Sequence, residues 1–175
     1  EPADDDQAAA ATVEAANVER PGPEATVFLE LLGLAPQRQS ELLAAAAEHV
    51  RSDESSTGTR RWQAGVSPHA PYTAGVDLVR EVCRRSDVEG WPVAMHLAES
   101  PEELELLQSH SGPFHDLLVE WNVWNPSAVP RGIRPTDYLE LLAGARRALV
   151  VHGNYLGSRD WSVLSAHRRR MTVVY

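Results

Sequence analysis

The chain has 175 residues, with 25 acidic against 16 basic side chains and a net charge of −9; this argues against a nucleic acid partner, since phosphate binding needs a basic face. No apolar run approaches the roughly 18 residues of a membrane span, and a single cysteine, Cys83, excludes an internal disulfide. The length suits one domain or most of one.

Residues 1–24 are acidic, alanine-rich and punctuated by Pro21-Gly22-Pro23. They read as a loosely ordered lead-in, partly helical through Ala8 to Ala16, that ends in a turn. Structure is expected from Ala25, where Ala25 to Leu32 form a strand ending at Gly33. A helix from about Gln37 to Val50 puts Leu43, Ala46, Ala47 and Val50 on one stripe, and Arg51 to Thr59 read as a polar loop. The second strand starts near Trp62 and delivers His69 within Ser67-Pro68-His69-Ala70-Pro71-Tyr72-Thr73. The helix after Thr73 carries Val76, Val79, Val82 and Cys83 at helical spacing and ends near Gly90, so Cys83 reads as an inert packing residue.

The third strand is Val93 to Met95, an apolar segment after the breakers Gly90 and Pro92, as expected of a parallel strand covered on both faces. It runs into His96-Leu97-Ala98-Glu99-Ser100, where a helix starts at once. Ser100 is placed to serve as N-cap, Pro101 suits the first helical position, and Glu103 three residues on completes a capping box. Residues 109–134 exceed what one crossover needs. They hold a break at Gly112-Pro113, an amphipathic piece from Phe114 to Trp121, and an irregular run from Asn125 to Gly132. Inserted material after a site-bearing strand suits a lid or pocket wall; a surface excursion packed by Phe114, Trp121 and Trp124 suits it equally. His110 and His115 lie here without a strand end and receive no role. A helix follows from about Pro135 to Ala143 with Gly144 as C-terminal cap, and the fourth strand, Ala148 to Val151, delivers His152-Gly153-Asn154. Ser158 caps a short helix through Leu164, Arg168 to Arg170 form a solvated helix end, and Met171 to Tyr175 open a fifth strand.

Five strands alternating with helices predict a parallel α/β architecture. Periodicity does not separate a barrel from an open doubly wound sheet, although no glycine-rich phosphate loop follows any strand. Three successive strands ending in His69, His96 and His152 are harder to explain by packing than by a site at the mouth of a barrel, where strand ends converge. A carboxylate three residues beyond one of them, Glu99, completes a set suited to metal or proton-transfer chemistry.

Together Ser67 to Thr73, His96-Leu97-Ala98-Glu99 and Val151-His152-Gly153-Asn154 resemble the amidohydrolase superfamily, in its branch of cytosine and guanine deaminases, adenosyl-homocysteine and methylthioadenosine deaminases, and triazine chlorohydrolases. The resemblance runs from about Thr26 to Tyr175. It implies a partial (β/α)8 TIM barrel over 25–175, roughly strands three to seven of eight, from a cytoplasmic hydrolase acting on a non-peptide C–N bond. It implies one divalent metal ion, zinc or alternatively iron, with His96 as a metal ligand, Glu99 as the acid/base facing the substrate ring, and His69 binding substrate. His152 would be a second metal ligand in two-metal members, and polarises the hydrolytic water in the favoured one-metal reading. The substrate implied is a small nitrogen heterocycle.

The family pattern also asks for His-x-His on the first strand and aspartate on the eighth, which lie outside this chain; Asp137 and Asp160 sit at helix starts and cannot stand in. A full barrel takes about 250 residues, and this chain starts at Glu1 and stops within a predicted strand, so the expectation is an internal segment of a longer enzyme, inactive in isolation. Two open sheet edges make homo-oligomerisation an expectation as well. The alternative to an enzyme is a non-catalytic binding module or relic of one.

Overall fold

The computed structural model describes residues 25–54 and 62–175. The predicted lead-in over 1–24 lies outside these, as does most of the predicted loop before Trp62. Five strands, β1 (Ala25–Leu31), β2 (Trp62–Pro68), β3 (Val93–Leu97), β4 (Ala148–His152) and β5 (Met171–Val174), form one parallel sheet in the order β1-β2-β3-β4-β5. The helices between them are α1 (Gln39–Glu54), α2 (Val76–Glu89), α3 (Pro101–Ser109), α4 (Pro113–Glu120), α5 (Pro135–Leu142) and α6 (Ser158–Ala166). Strand order follows chain order without reversal. A doubly wound sheet needs a switch point where that order turns back, so the topology is that of an arc of a barrel. No helix among the described residues is long and apolar enough to cross a membrane.

Alternation along the strands divides the sheet into two faces. One set of partners, Val93, Met95, Leu97, Ala148, Val150 and Met171, joins a single buried cluster with Val79, Val82, Leu106, Leu139 and Leu142 of the helices. The other face carries Phe28, Gly65, Ala94, His96, Leu149 and Val151. Gly65 is required there: a β-carbon at this position would lie 2.6 Å from the Phe28 ring, which crosses directly over it. Cys83 is 1% exposed and burial pushes its thiol up to about 12, as suits a packing residue.

The helix boundaries show which local signals prevail. α2 ends as expected, at Gly90 with φ +88, a left-handed cap that a side chain would strain. α1 continues four residues past Val50, because Arg51 bonds Glu48 at 2.7 Å and the Ala47 carbonyl at 3.3 Å, which sustains another turn where a loop was expected. Gly144 does not act as a left-handed cap: α5 closes through tight bonds from Gly144 N–H to Leu141 and from Ala145 N–H to Leu142, both 3.0 Å. Ser158 is not the N-cap of α6. Gly157 holds that place and its N–H donates to the Asp160 carboxylate at 2.8 Å, a stronger acceptor reaching back from the third helical position.

A buried hydroxyl joins the N-terminal ends of β3 and β4. Ser86 at the end of α2 is 0% exposed; it donates to the Trp91 carbonyl at 2.6 Å and accepts from Arg146 N–H at 3.1 Å. Ser86→Ala would strand both groups, so stability should fall by about 1–3 kcal/mol. Urea unfolding checks this as a lower midpoint at unchanged slope.

Candidate active site

The C-terminal ends of β2, β3 and β4 carry the three predicted histidines to one place. His69 follows Pro68, and its backbone continues the sheet: its N–H donates to the Leu31 carbonyl at 3.2 Å, and its own carbonyl accepts from His96 N–H at 2.9 Å. His96 is therefore the middle of the row. Its ring centroid lies 5.1 Å from that of His69 and 5.1 Å from that of His152.

His152 reaches the row by a backbone device. Leu97 is its register partner and faces the helices; a regular extension of β4 would send His152 the same way. Instead it adopts φ +71, a left-handed conformation costing a residue with a β-carbon about 1–2 kcal/mol. Such strain gathers at functional sites.

Glu99 stands opposite. Its Oε1 lies 3.4 Å from His152 Nε2, with both side chains about one-third exposed. The turn that presents it contains a second left-handed residue, Ala98 at φ +52. Ser100 caps α3 as expected, accepting from Glu103 N–H at 3.3 Å. The other half of the expected capping box does not form. The Glu103 carboxylate passes over the Ser100 N–H and accepts from Ala98 N–H at 2.8 Å and Glu99 N–H at 3.0 Å. Glu103 is 0% exposed; burial pushes its carboxyl up to about 7 against the opposing pull of those two donors, and the charge of Glu99 adds to the rise.

The flank at His69 is equally defined. His69 Nδ1 lies 2.7 Å from Thr73 Oγ1, and that hydroxyl donates to the Ala70 carbonyl at 3.3 Å. The Thr73 hydroxyl thus holds the His69 ring by its Nδ1 edge and leaves Nε2 without a partner on this side chain. Burial lowers the His69 pKa, a tendency that Glu30 opposes and His96 reinforces. Tyr72 sets its ring edge-on to His69 at 6.0 Å and packs at 4.7 Å on Phe114 of α4, which brings residues 109–134 against the site. Burial, then the charges of Glu99 and Glu103, push its phenol up to about 12. His110 and His115 instead pack on Trp124, with centroids 4.9 and 5.2 Å away, as parts of that segment's own core.

Sequence reasoning missed Glu30. It lies on β1 with Oε1 3.7 Å from His96 Nε2, and its signal was a lone carboxylate inside the apolar run from Val27 to Leu32. Among the described residues, two sets of donors could each hold a metal ion, Glu30 with His69 and His96, and His96 with Glu99 and His152, the ligand atoms of each set lying within 4.8 Å of one another. Imidazole nitrogen with carboxylate oxygen is a donor set that suits zinc and similar divalent ions.

No protein-family model matches the chain. It is 30% identical over 158 residues to a 5-methylthioadenosine/S-adenosylhomocysteine deaminase of Shouchella clausii, a match covering 88% of this chain and 31% of that protein. It is 32% identical over 99 residues to the aminodeoxyfutalosine deaminase of Deinococcus radiodurans, covering 52% of this chain and 22% of that one. The chain thus spans about a third or less of these relatives. Among solved structures, Helicobacter pylori aminofutalosine deaminase superposes with a TM-score of 0.70 at 21% identity, over 86% of this chain and 36% of its own. The guanine deaminase of C. acetobutylicum gives 0.57 at 14% identity, over 85% and 32%. These likenesses establish the fold as part of a TIM barrel, and the sequence matches make the chain similar to about a third or less of the length of deaminases named for methylthioadenosine, S-adenosylhomocysteine or aminodeoxyfutalosine.

Proposed function

We propose that the protein is a metal-dependent aminohydrolase that replaces the amino group of a small nitrogen heterocycle with oxygen from water. The observation that carries this is the row His69, His96, His152 with Glu99 set 3.4 Å from the last ring. The relatives are named as deaminases of methylthioadenosine, S-adenosylhomocysteine and aminodeoxyfutalosine, and guanine occupies the active site of the C. acetobutylicum structure. An amino-heterocycle is accordingly the substrate class, and a cytoplasmic metabolic enzyme the setting.

His96 would hold the ion, alongside ligands that the family pattern puts on other strands of a complete barrel. Zinc is the favoured ion and iron the alternative; when bound, such an ion supplies a nucleophile of hydroxide strength from water near neutral pH. Glu99 takes a proton from the attacking water and delivers it to the ring nitrogen beside the carbon under attack; the second proton of that water passes to the amino group, the C–N bond breaks to release ammonia, and the ring carbon keeps the oxygen. His152, within reach of Glu99, polarises the water. His69, held at Nδ1 by Thr73, hydrogen-bonds the substrate through Nε2. Residues 109–134 form one wall of the pocket through Phe114 and Tyr72.

In the full-length protein, Glu99→Gln should leave metal content near normal and lower ammonia release by about 10²-fold or more. Loss of metal with turnover per metal retained would reverse its assignment. His96→Ala should remove the ion, read by elemental analysis; equal metal content in variant and parent sinks the ligand role. Thr73→Val removes the hydroxyl that holds the His69 ring and should raise KM more than it changes kcat, read from steady-state kinetics.

A further inference from the structure

Beyond the residues that face a substrate, Glu103 stands out as a carboxylate completely removed from solvent. Burying such a group is costly unless its oxygens find donors. Here both donors belong to one backbone turn: Ala98 N–H at 2.8 Å and Glu99 N–H at 3.0 Å. Helix capping does not explain this arrangement. The N-cap side chain of Ser100 already accepts from the third helical N–H, and a returning glutamate would bond Ser100 N–H, within the helix start. Glu103 reaches two residues further, outside the helix.

What it reaches is the turn that presents Glu99. Ala98 is left-handed at φ +52, and this conformation makes successive N–H groups converge on a single anion, as in a backbone nest. The remaining polar groups of the two residues are occupied as well. The Ala98 carbonyl accepts from Tyr155 N–H at 3.0 Å and the Glu99 carbonyl from Asn154 Nδ2 at 3.1 Å. Every backbone donor and acceptor of Ala98 and Glu99 therefore has a partner. The two acceptors are held by the loop after β4, and the two donors by Glu103 alone.

We propose that Glu103 is the positioning residue of this site: its buried carboxylate holds the Ala98–Glu99 turn in the conformation that aims Glu99 at His152. Its effect on turnover rests on the deaminase reading above, while its hold on the turn does not.

The test uses the full-length, metal-loaded protein and Glu103→Gln, which keeps the shape of the side chain and replaces one accepting oxygen with an NH₂ group. Amide hydrogen exchange at Ala98 and Glu99 should speed up by about tenfold or more while exchange at Val150 in the core stays unchanged. With 5-methylthioadenosine as the probe substrate, kcat should fall about 10²-fold, the scale of a small misplacement of a reacting group, with KM within about twofold and metal content retained. Ser100→Ala weakens the same helix end without touching the two turn amides, and it should lower the unfolding temperature while leaving kcat and those exchange rates alone. Unchanged exchange at Ala98 and Glu99 in folded Glu103→Gln overturns the proposal, as does faster exchange with kcat intact. Equal loss of kcat in Ser100→Ala also overturns it, because helix stability would then be the cause. If the parent protein releases no ammonia, the deaminase reading fails for this substrate and the exchange rates still decide the role of Glu103. If Glu103→Gln does not fold, exchange in the unaltered protein decides: protected amides at Ala98 and Glu99 support the proposal, and exchange as fast as in solvent-facing turns overturns it.

Discussion

The hydrogen bond from His96 N–H to the His69 carbonyl, 2.9 Å long, is the contact on which the site depends. Regular pairing of β2 with β3 is otherwise registered at Val66 and Val93. The bond at His69 carries that pairing past the end of β2 and sets the two rings side by side. On the other flank, β3 and β4 pair continuously from Val93 with Ala148 to Leu97 with His152. Neighbouring parallel strands lie about 4.8 Å apart, which sets the scale of the 5.1 Å between successive rings. Sheet geometry thus builds the row, and side-chain chemistry tunes it.

Tuning falls to the groups around the row. Three imidazoles this close would repel one another if protonated, and a metal ligand must be neutral. Burial lowers the pKa of His69, and the Thr73 hydroxyl holds its ring at Nδ1. Carboxylates flank the central ring on both sides, Glu30 from β1 and Glu99 from the turn after β3, so negative charge is supplied where a cation would sit. Glu103 lies beneath this layer and is spent on backbone rather than on the site itself. The aromatic contact from His69 through Tyr72 to Phe114 then gives α4 a place against the site, one of the two positions that its place after a site-bearing strand suggested.

Much of this was legible in the sequence because the strongest local signals were unambiguous. Apolar runs ending in His69, His96 and His152 marked the strand ends, and Ser100-Pro101 marked the start of α3. What escaped were features decided by competition between partners. The capping-box pattern at Ser100 and Glu103 is satisfied on one side only, since the two amides of a left-handed turn attract the carboxylate more effectively than one helical N–H. At α6, Asp160 displaced the predicted cap by the same preference for a charged acceptor. Glu30 was hidden because a lone charge in an edge strand normally reads as a solvated position; only the pairing of Glu30 with Ser67, one strand from His96, gives it a neighbour. Periodicity left barrel and open sheet unseparated; the resemblance carried by the histidine motifs implied the barrel, and the strand order agrees with it.

The two non-glycine residues forced left-handed at strand ends, Ala98 and His152, show how the fold divides its labour. Each would cost about 1–2 kcal/mol in isolation; Ala98 precedes Glu99 and His152 is itself a site side chain, and both side chains depart from the sheet's regular alternation to reach the site. The compensating bonds cross between the two turns. Gly153 N–H donates to the Leu97 carbonyl and Tyr155 N–H to the Ala98 carbonyl, both at 3.0 Å, while Asn154 bonds the carbonyl of Glu99. Three hydrogen bonds therefore tie the two turns together, so the distance between Glu99 and His152 is set jointly by both loops, with Glu103 holding the first of them from below, rather than by either residue alone.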